Sequence, residues 1–118
     1  MKFIVEEMSM LLDLFEQHVP DKESNRLVHQ FCTEKHRWIK AHGLFTTIRD
    51  RTNRAEKTGN RIKEAQYVFE ESVAKTLYNI TRGSAPFDPD SPYWVIKNAL
   101  RLARELEIPE QKVVEIVA

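Results

Sequence analysis

Hydrophobic residues recur at helical spacing through most of the chain, and this pattern predicts about five helices. The first helix is predicted over residues 2–19 and the second over residues 22–42, with Gly43 as the C-terminal stop of the second. The apolar stripe of the first helix consists of Ile4, Met8, Leu11, Phe15 and Val19. Sustained alternation of period two is absent from the sequence, and so are Asn-Gly and Asp-Gly hairpin turns. The pattern therefore predicts an all-α fold.

The middle of the chain carries a repeat of apolar or small residues every seven positions between residues 44 and 81. The repeat includes Ile48, Ala55, Ile62 and Phe69. It predicts one long central helix, which we expect to be kinked or briefly broken at residues 58–60, because Thr-Gly-Asn combines poor helix formers there.

The stretch SAPFDPDSPYWVIKNAL, residues 84–100, predicts the start of a further helix near residue 91. Asp90 or Ser91 can accept hydrogen bonds from the free N–H groups of a first turn, and the fixed φ of Pro92 suits that turn. A cation site at Asp88 and Asp90 is the alternative, but the segment lacks the further oxygen ligands and the glycine of a calcium loop. A last short helix is predicted after Ile108-Pro109.

Length and composition are those of one ordinary globular domain. The 118 residues are 42% hydrophobic and 31% charged, which predicts a single domain over residues 1–118 with its own core. The 18 basic and 18 acidic side chains cancel, so no overall field attracts nucleic acid or an anionic membrane. The chain has one cysteine and no run of about 20 apolar residues, the length that spans a bilayer. We expect a cytoplasmic protein without a membrane span.

One segment, residues 49–63, is locally basic, with six basic and two acidic side chains. If it is helical, Arg51, Arg54, Lys57 and Arg61 lie on one flank. This flank is predicted either to be a solvated surface or to bind a partner, which would be an acidic protein or, as the weaker alternative, RNA.

The first helix has a second apolar stripe formed by Phe3, Met10 and Leu14. The two stripes together are wider than the face that a peripheral helix of a small bundle buries. Either this helix is central in the monomer, or these three residues meet a second copy of the chain across a two-fold axis. We favour the homodimer.

The second predicted helix contains a possible metal-binding set, His29, Cys32 and His36. Histidine and cysteine are zinc ligands, and this spacing would place all three along one side of a helix. However, no fourth ligand is evident, and the charge of Lys40 one turn further on would oppose a cation. We predict that the protein has no metal site and no cofactor, with Cys32 half-buried between exposed histidines.

Arg37 and His42, in RWIKAH, resemble the Arg-x4-6-His signature of HEPN-type helical ribonucleases. The resemblance implies that this pair would act on an RNA phosphodiester. It covers six residues, and Trp38 stands where the family usually has a polar residue. The alternative is that His42, beside Gly43, interacts with the free carbonyls at the end of the second helix.

The C-terminal segment, residues 99–118, resembles a DNA-binding helix-turn-helix. The matching positions are Leu102, Ala103, Leu106, Ile108, Val113 and Ile116. The turn has Glu107 where a glycine is usual. The last helix would offer Glu110, Gln111, Lys112 and Glu115 to DNA phosphates. Since phosphate contacts need lysine and arginine, this net negative helix is poorly suited to DNA.

Signatures of common enzymes are missing from the sequence. It contains no glycine-rich phosphate loop, no Gly-x-Ser-x-Gly elbow and no Glu-x-x-His pair. We therefore predict a non-catalytic protein that acts through protein–protein contacts, as a small regulator, an adaptor or an immunity-type inhibitor. A helix-turn-helix DNA-binding regulator and a HEPN-like ribonuclease are the alternatives.

Overall fold

The computed structural model describes residues 2–81 and 91–118, and the regular secondary structure of these residues is entirely helical, without a strand. A 3-10 helix occupies Lys35–Lys40. The six α-helices are α1 (Lys2–Glu16), α2 (Lys22–Thr33), α3 (Ala41–Lys57), α4 (Arg61–Thr81), α5 (Ser91–Glu105) and α6 (Glu110–Val117). The predicted all-α fold is confirmed. None of these described helices is both long enough and apolar enough to cross a membrane.

Helix α4 lies at the centre of the bundle, in contact with α2, α3, α5 and the 3-10 helix. Helix α1 packs against α2, α5 and α6. Buried side chains from all six α-helices join in one hydrophobic core. In this core the rings of Phe15 from α1 and Phe69 from α4 meet edge to face, with centroids 5.2 Å apart and an interplanar angle of 79°. The core therefore joins the first helix directly to the central one.

The predicted second helix, residues 22–42, is wrong beyond Thr33. Glu34 adopts an extended conformation (φ −109°, ψ 92°), and the chain then continues as the 3-10 helix. This change of direction leaves Trp38 packed against the core but exposes Ile39, which the periodicity placed inside and which is 82% exposed. Gly43 does not stop a helix, because it lies in the first turn of α3.

The long kinked central helix is not observed, because residues 58–60 separate α3 from α4. Gly59 has a φ of 70°, a left-handed conformation that glycine adopts without steric cost. Its N–H donates to the Glu56 carbonyl (3.2 Å), and the Asn60 N–H donates to the Ala55 carbonyl (3.0 Å). These two bonds form the Schellman motif that commonly ends an α-helix.

The same short segment begins α4, because the Asn60 Oδ1 atom accepts a hydrogen bond from the Lys63 N–H (3.1 Å). Helices α3 and α4 are thus joined by three residues and pack against each other as an antiparallel hairpin. An ion pair between Arg49 Nε and Glu71 Oε1 (3.9 Å) connects the two helices further along the hairpin.

We expect opposite effects from Gly59→Ala and from the matched control Gly43→Ala. A side chain on the left-handed backbone at Gly59 should cost about 1 to 2 kcal/mol of unfolding free energy. At Gly43, on exposed helix, a Cβ atom meets nothing within 4 Å, and alanine should add about 0.5 to 1 kcal/mol. Urea denaturation of the two variants measures both changes. Changes of the same sign would contradict the Schellman motif at Gly59.

Helices α5 and α6 are joined by a second Schellman motif, whose left-handed residue is Glu107 (φ 60°). The Glu107 N–H donates to the Arg104 carbonyl (3.2 Å), and the Ile108 N–H donates to the Ala103 carbonyl (2.8 Å). A helix-turn-helix usually has glycine at this turn, where this chain has Glu107. The backbone of Glu107 nevertheless adopts the left-handed conformation that favours glycine. All six matching apolar positions of this helix pair are buried or half-buried.

Within the described residues α5 begins at Ser91, near which the sequence predicted a helix start. The predicted cap side chains of Asp90 and Ser91, and the alternative cation site at Asp88 and Asp90, lie outside the residues whose side chains are described.

Candidate functional site

A buried cluster of polar side chains lies where the start of α2 meets α4. Asp21 caps α2, because its Oδ1 atom accepts a hydrogen bond from the Ser24 N–H (3.0 Å). The side chain of Gln66, on α4, binds the main chain of the same residue twice. Its Oε1 atom accepts from the Asp21 N–H (3.1 Å), and its Nε2 atom donates to the Asp21 carbonyl (2.7 Å). Gln66 thereby ties the chain before α2 to the central helix.

Glu70 lies one turn after Gln66 and is completely buried. Its carboxyl group accepts hydrogen bonds from Ser24 Oγ (2.5 Å) and from Gln66 Nε2 (2.8 Å). Burial raises the pKa of Glu70 to about 7, because the loss of hydration outweighs these two hydrogen bonds. A carboxyl group that titrates near neutral pH therefore lies inside the bundle.

Tyr67 is buried next to this cluster, and its Oη atom donates a hydrogen bond to Asp21 Oδ2 (2.5 Å). Burial first, and then the bond to Asp21, raise the pKa of Tyr67 above its ordinary value. Burial alone would also raise the pKa of Asp21, but the net shift is downward. The hydrogen bonds from Tyr67 and Ser24, with the charges of Arg51 and Lys63, lower it. At neutral pH Tyr67 thus stays protonated and Asp21 stays ionised.

On the outer side of Tyr67 lies an open depression of about 250 Å³, which we call the basic pocket. It is lined by Arg51, Arg54, Ala55, Thr58, Lys63 and Tyr67. Arg51 and Arg54 are three positions apart on α3 and so lie on the same side of that helix. Lys63 comes from the first turn of α4, across the hairpin loop. The reversal of the chain at residues 58–60 brings these three cations together.

The three cations of the basic pocket have no direct acidic partner. Within residues 2–81 and 91–118, the side chains of Arg51, Arg54 and Lys63 form no salt bridge. Five other arginines, Arg37, Arg49, Arg61, Arg101 and Arg104, each contact a carboxylate. The positive charge of the pocket is therefore available to an anion from outside.

The predicted basic flank is only partly assembled. Arg51 and Arg54 line the pocket, and Lys57 is exposed in the last turn of α3. Arg61 is the first residue of α4 and instead forms an ion pair with Glu105 of α5 (3.3 Å). The flank was predicted for a single helix, but residues 58–60 separate α3 from α4, and Arg61 therefore does not lie with Arg51 and Arg54. The missed member is Lys63, for which the only sequence signal was its place in the basic segment.

The three residues of the possible zinc set do not share one helix face. His29 Nε2 lies 2.9 Å from Asp13 Oδ1 and 3.1 Å from Ser9 Oγ, both on α1. Cys32 is fully inside the core rather than half-buried, and burial raises the pKa of its thiol to about 12. His36 lies beyond α2, in the 3-10 helix, and is exposed.

Arg37 and His42, the pair that resembles the ribonuclease signature, have separate partners. The Arg37 Nε atom donates to Glu34 Oε2 (2.7 Å). The His42 ring lies 5.2 Å from the ring of Tyr78 on α4. His42 is in the first turn of α3, so its predicted role at the C-terminal end of a helix is wrong.

In the C-terminal helix pair, Glu110 is paired with Arg104 Nη1 (2.6 Å). Gln111, Lys112 and Glu115 are exposed on α6. One of these three side chains is basic and one is acidic, so together they carry no net charge. DNA binding by this pair stays an untested alternative to the predicted protein–protein function.

The described residues of the predicted dimer patch, Met10 and Leu14, differ in their exposure to solvent. Met10 is 49% exposed, whereas Leu14 is half-buried and packs against the core. The side chain of Phe3 lies outside the described side chains. The homodimer stays a prediction.

The basic pocket is suited to binding rather than to proton transfer. Its one acid, Tyr67, has a raised pKa, and its hydroxyl proton is already donated to Asp21. The remaining ionisable groups that line it are the three cations.

Comparison of the chain with protein-family models, with curated proteins and with solved structures found no match.

Proposed function

We propose that the protein is a non-catalytic cytoplasmic binding module that docks an acidic segment of a partner protein in the basic pocket. The observation that carries this proposal is the convergence of Arg51, Arg54 and Lys63 on one depression, where none of the three forms a salt bridge among the described residues. Cations that are not neutralised within the protein attract anionic groups and set the orientation in which they dock. A regulator, an adaptor or an immunity-type inhibitor would use such a surface.

A protein partner suits the charge distribution better than a nucleic acid does. Nucleic-acid binding depends on several lysine and arginine contacts spread along the phosphate backbone. Here the chain has no net charge, and the three cations occupy a single depression. Beyond the pocket, Arg49 and Arg61 are already paired with Glu71 and Glu105. This compact charge matches a short acidic segment.

The proposal predicts that a variant with Arg54→Glu and Lys63→Gln loses affinity for an acidic peptide. Removing one cation and reversing another should weaken binding by at least about tenfold, because close charge pairs across an interface contribute 1.4 kcal/mol or more. The measurement is the fluorescence anisotropy of a labelled oligoglutamate peptide at low ionic strength.

The matched control carries Arg26→Glu and Lys112→Gln, which changes the net charge equally at exposed positions on α2 and α6. Its affinity for the peptide should stay within about twofold of the parent, because distant exposed charges are screened by salt. Thermal unfolding verifies that both variants fold. Equal losses in the two variants, or tighter binding of duplex DNA or single-stranded RNA than of the peptide, would overturn the proposal.

A further inference from the structure

We propose that the group recognised by the basic pocket is a phosphomonoester, carried by the acidic segment of the partner. This inference rests on the proposed function and specifies its ligand. It follows from the number of free cations, from the donor groups they present and from the size of the depression.

The number of cations favours a phosphate over a carboxylate. A phosphorylated side chain carries a charge of about −1.5 to −2 at neutral pH and three acceptor oxygens, whereas a carboxylate carries one charge. Arg51, Arg54 and Lys63 supply three positive charges. Asp21 interacts electrostatically with Arg51 and Lys63, and the buried Glu70, whose pKa is about 7, interacts with Arg51; these two acids offset part of the charge and leave the pocket positive. A dianion neutralises what remains.

The donor groups of the pocket also suit phosphate oxygens. Each guanidinium presents its N–H groups in a planar fork that matches phosphate geometry, and the lysine ammonium adds a compact charge. Arg51 is half-buried beside Asp21 and Glu70, so it lies at the inner edge of the depression. Arg54 is exposed and lies one helical turn further along α3.

The hydroxyl groups of the pocket are already engaged within the protein. Thr58 Oγ1 lies 3.1 Å from the carbonyl oxygens of Arg54 and Ala55, to which it donates, and Tyr67 Oη donates to Asp21. Recognition of an anion therefore depends on the charged donors. We expect the preference for phosphate to depend on guanidinium geometry as well as on charge.

The size of the depression favours a phosphate group on a side chain over a whole nucleotide. Pockets that enclose ligands of drug size measure about 300 to 1,000 Å³. The basic pocket, at about 250 Å³ and open to solvent, is below that range. The pocket thus holds the phosphate itself, and the rest of the partner stays on the surface.

The test compares two labelled oligoglutamate peptides that differ only at a central residue, serine in one and phosphoserine in the other. The phosphorylated peptide should bind at least about tenfold more tightly, through charge-assisted bonds to the free arginines. An Arg54→Lys variant keeps the charge but loses the guanidinium fork, and most of this preference should disappear. The control Arg26→Lys, on exposed α2 surface, should retain the preference in full.

The outcomes separate this inference from the proposed function. Equal affinity for the two peptides, each sensitive to Arg54→Glu, would overturn phosphate recognition and leave the acidic-segment proposal intact. Failure of both peptides to bind would overturn the proposed function itself. Inorganic phosphate is the third probe. Displacement of the phosphorylated peptide by it supports the phosphate chemistry. Binding of inorganic phosphate without any gain from peptide phosphorylation would overturn the assignment to a phosphorylated partner and identify free phosphate as the ligand.

Discussion

Replacing Glu70 with glutamine is expected to stabilise the protein by up to about 3 kcal/mol above pH 7 and to change its stability little below pH 4.5. This estimate follows from the rise in the pKa of Glu70 from 4.5 to about 7, at about 1.4 kcal/mol for each tenfold change in proton affinity. Glutamine can keep both hydrogen bonds, since the Ser24 hydroxyl can turn to accept one from the new amide.

The direction of the pH effect follows from proton linkage. Between about pH 4.5 and about pH 7 the folded protein holds a proton on Glu70 that the unfolded chain has lost. The free energy of unfolding of the parent should therefore fall as pH rises through this window and level off above it. The surrounding charges modify the shift in both directions, because Asp21 raises the pKa of Glu70 and Arg51 lowers it. Burial remains the main cause.

The measurement is urea denaturation of the parent and of Glu70→Gln at several pH values between 4 and 8.5. The quantity of interest is the difference between the two proteins, in which titrations of other groups largely cancel. The control is Glu56→Gln, at an exposed position of α3, for which the difference from the parent should be small and independent of pH. A pH-independent difference for Glu70→Gln would show that Glu70 ionises in the folded protein as it does in water.

Replacing Phe15 with alanine is expected to lower the free energy of unfolding by about 3 to 5 kcal/mol, as large-to-small changes at buried aromatic positions do. Phe15 is completely buried and meets Phe69 edge to face. Its removal leaves a cavity between α1 and α4 that rigid helices fill only in part. Since the whole stability of a small domain is about 5 to 15 kcal/mol, this variant should be close to unfolding at room temperature.

The control for this prediction is Ile39→Ala in the 3-10 helix, where an 82% exposed side chain should contribute less than about 0.5 kcal/mol. A double-mutant cycle with Phe69→Ala isolates the contact between the two rings, which we expect to contribute about 0.5 to 1.5 kcal/mol beyond area burial. Chemical denaturation near 10 °C keeps the weaker variants folded at the start of the titration. A loss of under 1 kcal/mol for Phe15→Ala would contradict the burial of Phe15 against Phe69.

The features that depend on residues close together in the sequence could be predicted. Apolar residues at helical spacing, together with the absence of strand patterns, predicted the all-α fold, and Thr58-Gly59-Asn60 predicted an interruption at residues 58–60. The segment around Pro92 predicted a helix start near Ser91, and the described part of α5 begins there. In each case the signal lies within a few residues, since a helix cap depends on the side chains and backbone preferences of residues next to the helix end. The early end of α2 was not predicted, because no proline or glycine lies next to Thr33.

The candidate site depended on contacts between segments that are distant in the sequence. Periodicity placed Ile39 inside and grouped Arg61 with Arg51, because it assumed helices that continue through residues 34 and 59. The hairpin instead joins Arg51 with Lys63, while α5 supplies the carboxylate that pairs with Arg61.

The sequence by itself determined the helical class of this protein, the place where its central region is interrupted and the local excess of positive charge in residues 49–63. Only the tertiary structure decided which of those cations remain unpaired, and that Glu70 lies buried beside Gln66 and Ser24. The physical reason is the distance along the sequence over which each effect acts. Propensities and capping act over one or two turns, whereas burial and ion pairing depend on which distant segments the packing of the core brings into contact.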